Sequence, residues 1–463
     1  MMNPGVDTTK PTTFSAIFKH VSPPTTVDNC LYCYLLHPRL KNLVVTRGGL
    51  IQIYNIKSRY VQRGKSYDNS NTGEVRFNWV YETYVYENIA DIVAVRFTGD
   101  LLDSLLLSFP EAKVAVMNFN PISFELRTVS LHNYEFENLK SGRIHFTKLP
   151  ILRLDPLQRC AIMLVYDRHL AVLPFRRTEV VIPAEADPKH IGVRNSLLWQ
   201  QRATAPLLAT FTTCLSTSTG EKINNVLDMQ FLHGFYEPTL LVLYEPIGTW
   251  AGRVSARRDT CCIVALSFNL QKRTNPVIWF QESLPFDCNS VISVPQPIGG
   301  VVIMATNSIM QEIPSCGPLS IDGSRVVTLN ETQFLIGTRT GNLYLLSLWL
   351  EQATQTVTSL LFHEVGQAVP PHCMVLLESD YLFIGSRFCD SVLMKIDYSL
   401  LCVDANGKTV DSELINQVND FNNTSLRSDN SSVDNNVVTV AVVTSTAEEE
   451  KSDEAPHLIN ILV

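Results

Sequence analysis

Two stretches of the chain are near copies of each other, FLIGTRTGNLYLL at residues 334–346 and LFIGSRFCDSVLM at residues 382–394. Each is an apolar run, a Gly-[Ser/Thr]-Arg step, a polar turn and a second apolar run, and Gly337 and Gly385 lie 48 positions apart. One such strand–turn–strand unit cannot bury its apolar side alone. Recurrence at about 40–50 residues is therefore the signature of propeller blades stacked on one another. The repeated Gly-Thr-Arg and Gly-Ser-Arg steps read as architecture, the glycine for a tight strand exit and the arginine to tie neighbouring loops.

The rest of the body fits the same plan. Residues 43–46 and 50–56 flank Arg47-Gly48-Gly49, DSLLLSF at 103–109 leads through a turn into VAVMNF, and residues 161–165 lead through Asp167-Arg168-His169 into LAVLPF. Apolar runs at 240–244, 262–268, 277–280 and 300–305 continue the series. These are strand lengths rich in Val, Ile, Leu and aromatic residues, without helical stripes of ten or more positions. The expected fold is all-β, a WD40-like propeller over residues 14–403. Roughly 45–55 residues per blade predicts seven blades. Residues 1–13 read as a flexible start and residues 183–219 as an insertion or long loop.

Of the 463 residues, 45% are hydrophobic and 18% charged, enough to bury a large core. The net charge of −8 is not spread evenly. Residues 404–463 hold 11 acidic against 3 basic residues, leaving a neutral body of 34 and 34. This acidic, Asn- and Ser-rich stretch is expected to stay disordered, because it cannot bury enough apolar surface to offset its ordering entropy. Inside it, VVTVAVV at 437–443 and LINILV at 458–463 read as strands. They are either the chain re-entering a sheet or an end without its pairing partner, the second being favoured. The 11 scattered cysteines and a polar N-terminus without an apolar signal core favour a reducing compartment. There the sequons at Asn330, Asn422, Asn423 and Asn430 carry no glycan. The best membrane-span candidate, residues 291–306, is broken by Pro295 and Pro297, so no membrane association is expected.

Several long strings carry a family resemblance: DSLLLSFPEAKVAVMNFNP (103–121), CAIMLVYDRHLAVLPFRR (160–177), MQFLHGFYEPTLLVLYEP (229–246), TWAGRVSARRDTCCIVALSFN (249–269), NPVIWFQESLPFDCNSVISVPQPIGGVVIMATNS (275–308) and YLFIGSRFCDSVLMK (381–395). They resemble the N-terminal region of the largest subunit of the cleavage and polyadenylation specificity factor. The resemblance implies the first of three propellers in a nuclear, non-catalytic scaffold of pre-mRNA 3′-end processing. It also implies WD-repeat and zinc-finger subunits as partners and an indirect hold on pre-mRNA. The wider superfamily includes a damaged-DNA-binding subunit, which makes an adaptor of a ubiquitin ligase the alternative. Two departures stand out. After Met310 about one strand is missing, so one blade is expected to be incomplete. Cys389-Asp390 replaces the family's Gly-Asn, so strain is expected at that turn.

No enzyme signature is present: no HExxH, no GxSxG elbow and no phosphate-cradling GxxxxGK[ST]. Cys30-Leu31-Tyr32-Cys33 lacks a second ligand pair, and Cys261-Cys262 puts its thiols on opposite faces of a strand, so both read as structural. His233 reads as a turn residue. Asp228, Glu237, Asp259 and Asp287 are not spaced as an acid/base pair. No catalytic residue, cofactor, metal or small-molecule substrate is expected. The candidates for RNA or partner contact are Arg176, Arg177, Arg253, Arg257 and Arg258, with Lys272-Arg273 as a further basic pair. Each lies at a strand end, and guanidinium groups there suit phosphate or an acidic partner segment. Tyr236, Trp250 and Trp279 are candidate stacking faces. With a neutral body, partner protein is the favoured ligand.

Overall fold

The computed structural model describes residues 26–59, 74–140, 148–176, 207–215, 223–248, 250–306, 320–350, 357–378, 380–396 and 459–462. Its strands form antiparallel sheets of consecutive strands. Blade 1 holds β1 (Asn29–His37), β2 (Leu40–Arg47), β3 (Leu50–Arg59) and β4 (Glu74–Tyr84). Blade 2 holds β5 (Asp91–Val95), β6 (Ser104–Phe109), β7 (Lys113–Asn120) and β8 (Glu125–Asn133), followed by the short helix α1 (Glu137–Lys140). Blade 3 holds β9 (Leu152–Leu154), β10 (Cys160–Val165), β11 (His169–Pro174) and β12 (Phe211–Cys214). Blade 4 holds β13 (Val226–Phe231), β14 (Thr239–Tyr244), β15 (Cys261–Ser267) and β16 (Val277–Leu284), with helix α2 (Ala251–Ala256) between its middle strands. Then β17 (Cys288–Ser293) and β18 (Val301–Ala305) pair only with each other. Blade 5 holds β19 (Arg325–Thr328), β20 (Gln333–Gly337), β21 (Asn342–Leu350) and β22 (Val357–Gln367). Blade 6 holds β23 (Cys373–Leu377), β24 (Tyr381–Gly385), β25 (Val392–Ile396) and β26 (Ile459–Leu462).

The expected seven blades are therefore corrected to six four-stranded blades among the described residues. Dividing length by the repeat period assumes four strands from every segment. The segment between blades 4 and 5 supplies only the two-stranded β17–β18 hairpin, and residues 307–319, where the missing strand was placed, lie outside the described residues. A second correction concerns the end of the chain. β26, within LINILV, pairs antiparallel with β25 and closes blade 6 as its fourth strand. The run at 437–443 lies outside the described residues, as do residues 1–13 and most of 183–219.

Burial follows position within the blade. The middle strands SLLLSF, CAIMLV and TLLVLY are buried at every position because both faces pack on neighbouring sheets. Outer strands such as ELRTVSLHN alternate with solvent. The apolar core is a ring of clusters, one at each seam. One joins blades 1 and 2, the next blades 2 and 3, and so on through the hairpin to the closing seam of blades 6 and 1. Apart from β17 and β19, the first strands of neighbouring sheets touch one another around the centre, and β1 meets β23.

At the closing seam, the Val27 N–H donates to the Ser386 carbonyl at 3.0 Å, and Arg387 pairs with Asp28 at 2.7 Å. Phe77 meets Phe383 edge-on, with centroids 5.9 Å apart. A Cβ on Gly385 would sit 2.5 Å from Val27 Cγ1 and 2.6 Å from Cys373 Sγ, so only glycine fits there. Gly337 is also crowded, though less so, at the preceding seam, with Met374 Sδ at 2.7 Å and Pro371 Cγ at 2.9 Å from its hypothetical Cβ. The strain expected at Cys389-Asp390 is absent, since neither residue has a positive φ. The Ser386 hydroxyl instead accepts the N–H groups of Phe388 and Cys389, both at 3.3 Å, and holds the turn.

Candidate functional site

In each blade the first-to-second and third-to-fourth strand connections emerge on one face, here face A. The second-to-third connections and the links between blades emerge on the opposite face B. This alternation separates the four candidate arginines that lie among the described residues. Arg176 follows β11 and is exposed on face A, and Arg177 lies outside the described residues. Arg253, Arg257 and Arg258 belong to α2 and the residues after it, between β14 and β15, on face B. Arg253 is half-buried; its guanidinium donates to the Ile247 carbonyl and lies 5.9 Å from the Trp250 ring centroid. Arg257 faces Asp259 at 3.7 Å, while Arg258 is exposed. Lys272 and Arg273 are on face A, with Arg273 5.5 Å from the Phe211 ring centroid. The structure does not bring these residues together into one patch. Tyr236 and Trp250 are exposed, on face A and face B respectively. Trp279 is partly buried against the cluster between blade 4 and the hairpin, which removes it as a stacking face.

The residues considered for chemistry are held structurally. Cys33 packs at the seam of blades 1 and 2 and Cys30 at the closing seam, on opposite faces of β1, so the CxxC cannot grip one ion. Burial pushes the Cys33 thiol up to about 12. Cys261 and Cys262 likewise point to different clusters. Glu237 accepts the Ser267 hydroxyl at 2.8 Å and the Asn269 amide at 2.9 Å. His233 sits in the turn before Gly234 at φ +90°, and burial lowers its pKa. Among the described residues no three His, Cys, Asp or Glu side chains converge on a metal-sized site.

One network was not legible in the spacing of acids and bases. Arg153 on β9 pairs with Asp91 at 3.2 Å and with Asp228 at 3.1 Å, and also donates to the Met229 carbonyl. Asp91 begins β5 and Asp228 lies on β13, so one guanidinium ties three consecutive blades around the centre. Burial raises the Asp91 pKa, opposed chiefly by Arg153. Two carboxylates sharing one guanidinium are clamped ions, not an acid and a base poised to exchange protons. Arg325 on β19 donates to the His372 carbonyl at 2.6 Å and is solvent-exposed, yet desolvation lowers its pKa. Lys148 donates to the Leu227 carbonyl at 3.1 Å, and burial brings its pKa down to about 8. No spacing in the sequence signalled this network: Asp91 opens β5, Arg153 is the second residue of β9 and Asp228 the third of β13.

Face A also carries a groove missed in the sequence. A hollow of about 560 Å³ is lined by Tyr32, Tyr34, Lys41, Arg96 and Asp103. It adjoins a second of about 290 Å³ that shares Tyr32, Tyr34 and Lys41 and adds Arg39, Lys57 and Glu378. The Lys41 ammonium lies 5.3 Å from both tyrosine ring centroids, and the Arg96 guanidinium 4.8 Å from that of Tyr34. Cations over aromatic faces are attracted by the ring quadrupole. The tyrosines are two apart on β1, and Lys41 stands on the paired β2; only the folded hairpin makes them neighbours.

Comparison with known proteins agrees with this architecture. The sequence pattern of the family described as RSE1/DDB1/CPSF1 first beta-propeller matches residues 26–422. Among curated proteins, the chain is 35% identical over 399 residues to cleavage and polyadenylation specificity factor subunit 1 of Drosophila melanogaster, covering 80% of this chain and 27% of that protein. It is 34% identical over 326 residues to the probable subunit 1 of Caenorhabditis briggsae, covering 65% and 20%. To the probable subunit 1 of Oryza sativa it is 26% identical over 399 residues, covering 77% and 26%. The chain thus spans about a quarter of the length of these relatives. With its ring of blades and a match over most of its length, this chain belongs to the first-propeller family of RSE1, DDB1 and CPSF1.

Proposed function

We propose that this chain acts as the N-terminal propeller of a non-catalytic scaffold in pre-mRNA 3′-end cleavage and polyadenylation, working in the nucleus. The observation that carries the reading is the 35% identity to the Drosophila subunit 1 over 80% of the chain. The adaptor role in damaged-DNA recognition is not favoured, since the similar curated proteins bear the cleavage-factor name. A stiff ring suits scaffolding: loops projecting from a rigid base bind several partners with little ordering cost. Partners of the expected kinds are a WD-repeat subunit and a zinc-finger subunit, with RNA held mainly through them. The charged centre supports the non-catalytic reading, because its carboxylates are committed to Arg153. Since Arg176 and the Arg253–Arg257–Arg258 group stand on opposite faces, two separate contact areas follow. Affinity purification of the tagged chain from nuclear extract, with and without RNase, tests this. Recovery of 3′-processing subunits that survives RNase supports protein scaffolding. Recovery lost on RNase points to RNA tethering, and recovery of ubiquitin-ligase subunits instead overturns the reading.

A further inference from the structure

The two hollows on face A hold more cations than their carboxylates balance. Arg96 is paired with Asp103 at 2.7 Å, and Asp103 also accepts the Tyr34 N–H at 2.8 Å. Glu378, at the blade 6 edge, accepts the Tyr32 hydroxyl at 3.3 Å. Asp100 is engaged as well. Arg39, Lys41 and Lys57 are exposed, and none pairs with a carboxylate among the described residues. Three cations thus converge on a hollow lined by a single carboxylate, Glu378, whose bond to a neutral hydroxyl leaves its charge in place, so cations outnumber acids there. Leaving such groups unpaired beside one another costs repulsion that an anionic occupant would relieve.

Chain geometry names a candidate for that occupant. β25 ends at Ile396 and β26 begins at Ile459, and these two residues are register partners. Their connection is a third-to-fourth strand link, so it leaves and re-enters blade 6 on face A. Near its end lies EEEKSDE at residues 448–454, five carboxylates against one lysine. Glu454 precedes Ile459 by five residues. At about 3.3–3.6 Å per extended residue, its leash reaches ~17 Å from the start of β26 and that of Glu448 about twice as far. β26 is the fourth strand of blade 6, so at about 4.7–4.9 Å per strand the first strand β23 lies ~14 Å away. The turn after β23 carries Glu378, which edges the hollow. The acidic run is therefore tethered within reach of the three cations.

We propose that the groove of Arg39, Lys41, Lys57, Tyr32 and Tyr34 is a docking site for this chain's own acidic run at residues 448–454. Side-chain carboxylates of the run pair with Lys41, Arg39 and Lys57, and the tyrosine rings wall the site. A short tether makes the effective concentration about millimolar, so modest intrinsic affinity suffices for occupancy. An acidic segment of a partner protein must then displace the run before it can bind the same groove.

Carbodiimide coupling of the 463-residue chain, read by mass spectrometry, tests the contact directly. Intramolecular amides joining Lys41 or Lys57 to residues 448–454 are expected. Amides to lysines outside the groove, or only between copies, overturn the proposal. Binding in trans provides the second readout, using a fluorescent peptide of residues 447–456. In a variant with Glu448, Glu449, Glu450 and Glu454 changed to Gln and Asp453 to Asn, the peptide should bind about tenfold tighter than to the unaltered chain, whose groove is occupied. Adding Lys41→Glu, or Lys41→Gln where the reversal unfolds the chain, should weaken it by about tenfold. Equal binding to all of these chains overturns the proposal.

Discussion

The two copied hairpins, in blades 5 and 6, have the same ladder but not the same job. Ile336 opposes Tyr344 and Ile384 opposes Val392, which is one register repeated 48 residues later. In blade 5 the turn uses Gly341 at φ +93°, and Arg339 reaches Asp322 just ahead of its own blade's first strand at 3.2 Å. In blade 6 the turn does without a left-handed glycine, and Arg387 reaches Asp28 at the start of blade 1. The other Asp28 oxygen accepts the Gly48 N–H at 2.6 Å. One sequence unit therefore serves as an internal brace in one place and as the ring closure in the other. The difference comes from what lies next door.

If that contrast is right, the glycines should differ most. Gly385→Ala pushes a methyl against Val27, a stiff β-branched side chain that closes the ring, and should cost about 2–3 kcal/mol. Gly337→Ala meets the flexible Met374 as well as Pro371 and should cost about 1–2 kcal/mol. Urea midpoints of the two variants check both values, and equal losses would erase the distinction. The next effect is a pH dependence. Burial first, then Arg387 and Arg325, hold the His372 pKa down to about 4. The unfolded chain takes up that proton near pH 6.5. Stability is therefore full above pH 6.5 and falls as pH drops from there toward about 4. Arg387→Ala removes one of the repelling cations, so this acid-side loss should shrink, whereas Arg339→Ala should leave it unaltered. Denaturation midpoints followed from pH 7 to pH 4 in the three proteins decide the point. The smallest effects belong to the ion pairs at neutral pH. The Arg387 side chain is 44% exposed and Asp28 only 15%, so Arg387→Ala should cost no more than about 1 kcal/mol. At 69% and 45% exposure, Arg339 and Asp322 should give ~0.3 kcal/mol, measurable as a weaker salt dependence of stability.

Much of the fold was legible because blade strands sandwiched between sheets are continuous apolar runs, and SLLLSF, CAIMLV and TLLVLY are readable in one dimension. The blade count was not, since length divided by period cannot register that β17 and β18 pair only with each other among the described residues. Nor was the pairing of β26, whose partner lies 63 positions back across the acidic connection. For the surface, local pattern put Arg176, Arg253, Arg257 and Arg258 all at strand ends; only Arg176 comes just after a strand, while Arg253 lies in helix α2 and Arg257 and Arg258 just after it. Alternation of strand direction puts Arg176 on one face and the other three on the opposite one. Tyr32, Tyr34, Lys41 and Arg96 carry no motif and become a groove only when blades 1 and 2 meet.

What the amino-acid order determined alone is everything set by neighbours along the chain: strand lengths, turn positions, the glycine that permits close packing, and a neutral body beside an acidic run. Only the closed ring decided which aspartate each turn arginine reaches, that Arg153 would clamp carboxylates from two flanking blades, and where unpaired cations gather. Those outcomes depend on distances between residues tens to hundreds of positions apart. Seam packing fixes such distances, and local propensity carries no information about them.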